Sequence, residues 1–103
     1  MAQAPAVAAK ATGWMIGVMV ELPGEAVPVQ HFFAVGHEDR AHCEWKAVDQ
    51  ALLIGRIATS PVRGLEPVHC ISALAAHTLQ FFALKPGEVR PLGAKLSRRW
   101  ASL

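Results

Sequence analysis

The chain has two cysteines, and each follows a histidine: His42-Cys43 and His69-Cys70. Thiolate sulfur and imidazole nitrogen are the usual ligands of tetrahedral zinc, and a thiol beside a basic group is the usual activated sulfur nucleophile. His31, His37 and His77 widen the set. Spacing limits what these residues can do together. Structural zinc sites place ligands in closely spaced pairs, so that one turn of chain presents both to the ion. Adjacent residues diverge by about 100° on a helix and point to opposite faces of a strand. At most one member of each dipeptide can therefore reach a common centre. His31, His42, Cys43, His69 and Cys70 remain the candidate metal ligands, and they would have to converge by tertiary contact alone. The reading assigns no metal and no cofactor. The plain alternative places a buried thiol on each element, since free cysteine is among the most buried residue types, with His42 and His69 nearer solvent.

Two other thiol chemistries are open to the same residues. A Cys43–Cys70 disulfide would close a loop of 26 intervening residues and stabilise by about 3 kcal/mol in the chain-entropy model. A reducing compartment works against it. As a nucleophile, Cys43 would lie near the start of a helix, where the dipole and a protonated His37 or His42 favour the thiolate. Glu38, Asp39 and Glu44 surround it and act in the opposite sense. No Gly-x-Ser-x-Gly elbow, His-Glu-x-x-His, phosphate loop or calcium loop occurs, so the reading leans away from an enzyme and names no catalytic residue. The remaining cluster is Lys95, Arg98, Arg99 and Trp100. Cations beside an aromatic suit phosphate contact with base stacking, which makes these four the candidates for anion or nucleic-acid contact. The bland alternative is a solvated terminal segment with Trp100 packed on the body.

The elements that must position these residues follow from composition and period. A chain of 103 residues supports one core. Hydrophobic residues make up 52% and charged residues 17%, which leaves little polar surface to cover a domain this small. Burial of one face against a second copy is the simplest remedy, so a homodimer is expected. Residues 1–84 carry net charge −2 and residues 85–103 net +4, giving a mildly acidic body with a basic end. No apolar run reaches the ~20 residues that span a bilayer, and no basic-then-apolar leader marks export. The expected location is cytoplasmic.

Residues 1–13, Ala-rich with Pro5, read as a leader without a face to bury. Trp14 to Leu22 reads as a strand that stops at Pro23-Gly24, and Val27 to Val35 as a second, with Val27, Val29, His31, Phe33 and Val35 on one face. The short connection predicts an antiparallel hairpin. Glu38 to Gly55 then changes period: Ala41, Trp45, Val48 and Leu52 form one apolar stripe, the expected core face of a helix, with Glu38 and Asp39 in its first turn. From Pro67 two readings stand. A helix to Phe82 is favoured by Pro67 at its first position, by Ala73, Ala75 and Ala76, and by the stop at Lys85-Pro86-Gly87. A strand pair, Val68–Leu74 and Thr78–Leu84, competes, and the likeness of Gln80-Phe81-Phe82-Ala83-Leu84 to His31-Phe32-Phe33-Ala34-Val35 keeps it open. A short extended piece is expected at Glu88–Leu92.

The fold class is therefore α+β: an N-terminal antiparallel hairpin, an amphipathic helix, a second helix or strand pair and a short C-terminal segment, in a small two-layer sandwich. Residues 1–13 form the leader, 14–93 the single domain and 94–103 the basic segment. The expected function is a small non-catalytic interaction or assembly domain. The alternative is a regulator that binds nucleic acid or a ligand through the basic end, and a His/Cys metal protein is the third reading.

Overall fold

The computed structural model describes residues 12–94. The fold is α+β, a five-stranded antiparallel sheet with two helices. The strands are β1 (Gly13–Glu21), β2 (Val29–Val35), β3 (Arg56–Ile57), β4 (Val68–Leu74) and β5 (Val89–Gly93); the helices are α1 (Arg40–Ala51) and α2 (Ala76–Phe81). β1 lies between β2 and a line formed by β4 and the two-residue β3, and β5 pairs with the far side of β2. The hairpin β1–β2 thus forms the centre of the sheet, with β5 covering the outer edge of β2 at Phe32–Val35. Register is fixed by the hydrophobic pattern, with Ile16 opposite Phe33 and Trp14 opposite Val35.

β1 is buried on both faces, which explains why it reads as a nearly continuous apolar run. On one face Ile16, Val18, Val20, Phe33 and Val35 meet Cys43, Ala47 and Ala51 of α1. On the other, Met15 and Ala34 meet Leu74, Leu79 and Leu84, so the short α2 covers one end of the second face. Gly55 lets the chain leave α1 close to β1: a Cβ there would strike the carbonyl oxygen of Glu21.

α1 departs from expectation in which side it buries. The stripe Ala41-Trp45-Val48-Leu52 does not face the core: Trp45 is 63% and Leu52 57% exposed, and only Val48 is partly covered. The reason is electrostatic. Asp49, four residues after Trp45 and three before Leu52, shares their face. Turning that face inward would take a carboxylate out of water with no partner, at a cost of several kcal/mol. The arc of Cys43, Ala47 and Ala51 has no charge at its centre, and its small side chains fit against a sheet already supplied with Ile, Val and Phe. The helix also starts later than expected. Asp39 is its N-cap, accepting from the backbone N–H of His42 at 3.2 Å, and Glu38 lies outside it.

The second departure is in residues 67–84. No helix runs from Pro67 to Phe82; the first half is β4 and only Ala76–Phe81 is helical, so neither the single helix nor the Thr78–Leu84 strand forms. Gln80 to Leu84 turns out of α2, with Ala83 at φ 53°, and shares no conformation with His31–Val35 in β2. Extended chain at Glu88–Leu92 corresponds to β5. Among the described residues no helix is long and apolar enough to cross a membrane.

Candidate functional site

The end of the sheet at which α1 begins gathers most of the histidine and thiol chemistry. Trp14 on β1 donates its indole N–H to the carbonyl of Glu38 at 2.9 Å, which anchors the start of the helix to the sheet. His37 accepts the Asp39 N–H at Nδ1 (3.0 Å), and its ring stacks on His42 with centroids 4.1 Å apart. The Cys43 thiol points into the core, fully buried, and donates to the carbonyl of His37 at 3.2 Å. Burial pushes this thiol up from 9.0 to about 11, and Asp39, Cys70 and Glu44 add to the rise. Cys70 enters from β4, opposite Ile16. Burial raises it as well, and the nearby Arg40 offsets part of the rise. Both thiols are free, and raised values make both poor nucleophiles at neutral pH.

His69 is held on the other face. Its Nδ1 lies 2.8 Å from the carbonyl oxygen of Glu66, which can only accept, so Nδ1 carries the proton. Its Nε2 then accepts from the Gln30 side-chain amide at 2.6 Å. The pair crosses above Gly17, where a Cβ would strike Nε2 of His69. Glycine is thus what lets β2 and β4 exchange a side-chain hydrogen bond across the strand between them. With both nitrogens engaged, His69 presents no free lone pair to a metal. His31, opposite Val18, has its Nε2 buried without a partner, as does the Ser72 hydroxyl.

The sequence candidates do not assemble into one centre. His42, Cys43 and Cys70 lie on the α1 side of the sheet, His69 is turned to the opposite side by its bond with Gln30, and His31 sits further along β2. Among the described residues there is no group of three or more His, Cys, Asp or Glu side chains placed to hold a metal ion. Lys95, Arg98, Arg99 and Trp100 lie outside the described residues. The described residues line open clefts at two places that bear on the site. One, of about 340 Å³, runs between the β1–β2 turn and the Val62–Leu65 turn, with Met19 at its base and Arg63 and Glu25 on its rim. The other, of about 370 Å³, lies beside His37 and Glu38, walled by Pro86 and Gly87. Neither cleft receives a thiol or a second imidazole.

The prominent surface is the outer side of α1. Trp45 stands on it, and Leu52, Leu53 (80% exposed) and Ile54 are exposed at and just beyond its C-terminal end. Sequence reasoning named Trp45 and Leu52 but gave them to the core; the signal that reassigns them is Asp49 on the same face. It missed Gln30 and Gly17 altogether, because a polar residue on a strand and a glycine between apolar residues have meaning only once register is known. No family model matches the chain, and no curated protein or solved structure matches it.

Proposed function

We propose that the protein is a small non-catalytic assembly domain that associates with a second copy of itself, with the outer face of α1 as part of the contact. One observation carries this reading: Trp45 on α1, and Leu52, Leu53 and Ile54 at and just beyond its C-terminal end, stand exposed on a chain with few charges to screen them. Lone exposed apolar residues are ordinary, whereas a contiguous group of large ones marks a surface that meets another surface. Tryptophan is also the residue most often found to dominate binding energy at such contacts. The bonded groups of His37, Cys43 and His69 support the same reading from the other side, since these atoms are engaged inside the fold. Light scattering across a micromolar concentration series tests it. A mass of twice 11.1 kDa is the expected result, and a monomer throughout would refute the proposal.

A further inference from the structure

We infer that the second copy joins along the outer edge of β4, strand to antiparallel strand, so that the two sheets run on as one. This inference rests on the self-association proposed above and names where it occurs. The two outer strands of the sheet are built differently. β5 is short, carries Pro91 and Arg90, has a register shift opposite Phe32 and Phe33, and ends at Gly93 with φ 80°. Charge, proline, bulges and short length are the usual guards against strand addition. β4 has seven residues, no proline and no Lys, Arg, Asp or Glu; its one guard is the irregularity between Ser72 and Cys70. Among the described residues no strand lies beyond it.

The backbone of that edge is directed outward. Met19 donates to the carbonyl of Pro67 at 2.8 Å, and Val18 faces Val68 and Gly17 faces His69. By the alternation of an antiparallel ladder, His69 turns its N–H and C=O toward β1, and Val68 and Cys70 turn theirs away from it. A two-fold contact must be complementary to itself. β4 meets that condition, because antiparallel pairing with its own copy sets no formal charge against another. An unlike partner strand would need no such neutrality.

The same arrangement accounts for the bare helix. Cys70 and Val68 pack on the α1 side of the sheet, and α1 lies mainly over β1. With strands about 4.8 Å apart, a dyad just outside β4 puts the two α1 helices roughly 14 Å from each other on one face. Closely packed helices stand about 8–10 Å apart, so the interval requires large side chains on the flanks of both, and Val48 and Leu52, beside the packed arc, are of the size needed. One dyad thus occupies both the unguarded edge and the exposed stripe.

Amide hydrogen exchange on the full chain tests this, read alongside its mass. In a dimer joined through β4, the N–H groups of Val68 and Cys70 are protected roughly 100-fold more above the dissociation constant than below it. Ala73→Lys places a charge on an exposed position of the same strand, and the dimer should weaken at least roughly tenfold with the circular dichroism spectrum unchanged. A dimer whose Val68 and Cys70 amides exchange equally fast at all concentrations overturns the β4 edge and leaves self-association standing. A monomer at every concentration overturns both.

Discussion

Replacing Trp45 with glutamine separates assembly from folding. Trp45 is 63% exposed in the protomer. A large aromatic side chain buries about 150–250 Å² when fully enclosed, so roughly 100–160 Å² is left to cover. At about 25 cal/mol per Å², covering half of that on each of two copies supplies ~2.5–4 kcal/mol to the dimer. Each 1.4 kcal/mol is tenfold in affinity, so Trp45→Gln should raise the dissociation constant by roughly 100- to 1000-fold. The protomer loses much less. Glutamine is a good helix former, and the substituted position lies opposite the packed arc of α1, so Tm should fall by no more than a few degrees, corresponding to about 1 kcal/mol. Sedimentation velocity over a concentration series gives the first quantity and thermal circular dichroism the second. An unchanged dissociation constant refutes the assignment of this face to the contact. A large fall in Tm without dissociation refutes the account of how α1 is oriented.

Other perturbations address the interior. The Cys43 thiol, raised from 9.0 to about 11, should resist iodoacetamide at pH 8 until the protein is unfolded; rapid alkylation of the native chain would contradict its burial. Because the folded state holds this proton more tightly, stability is fully present below pH 9 and declines as pH rises toward 11. The decline amounts to at most about 2–3 kcal/mol, and it should be smaller in Cys43→Ala when melts are compared from pH 8 to 11, the raised Cys70 thiol keeping its own share. Gly55→Ala drives a Cβ into the Glu21 carbonyl and to 2.9 Å from a Val20 methyl, so it should cost about 2–3 kcal/mol in urea denaturation; a neutral result would mean the exit from α1 is looser than drawn. Asp39→Ala removes the cap on the His42 N–H and should cost about 1 kcal/mol, with Asp39→Asn recovering most of it.

What the sequence disclosed depended on whether the deciding interaction was local. The hairpin was legible because Pro23-Gly24 breaks an apolar run and the alternation of Val29 to Val35 names a face. The existence of α1 was legible from its period, and β5 from the extended stretch after Pro86-Gly87. The orientation of α1 was not, because size gives Trp45 and Leu52 to the core, yet Asp49, which belongs on the solvent side, lies on the same arc. Residues 67–84 misled for a related reason. Pro67 and the alanines favour a helix locally, yet Val68 to Leu74 gain a full ladder against β1 that no local propensity reports. α2 keeps only the six residues in which Leu79 can reach Met15 and Ala34. The dipeptides were found at once, but their partners were not, since the carbonyls of His37 and Glu66 are backbone atoms that carry no residue signature.

Those carbonyls decide how the His-Cys pairs bear on function. An activated thiol needs a base free to take its proton, and a metal needs imidazole and sulfur lone pairs free to donate. Here the Cys43 thiol donates to one carbonyl, the His69 N–H to another, the His69 lone pair accepts from Gln30, and the His37 lone pair accepts from Asp39. The His69–Gln30 bond joins strands distant in the chain, the bonds of Cys43 and His37 fix the entry to α1, and the His69–Glu66 bond holds the imidazole in place for Gln30. Breaking any of them for chemistry would loosen the packing of the central strand, which has no uncovered face to absorb the change. In α1 the roles are reversed: Cys43, Ala47 and Ala51 hold the helix in place, and Trp45, Leu52 and Leu53 take no part in doing so. Removing those three large side chains would cost the protomer little, which is what the proposed contact requires of them.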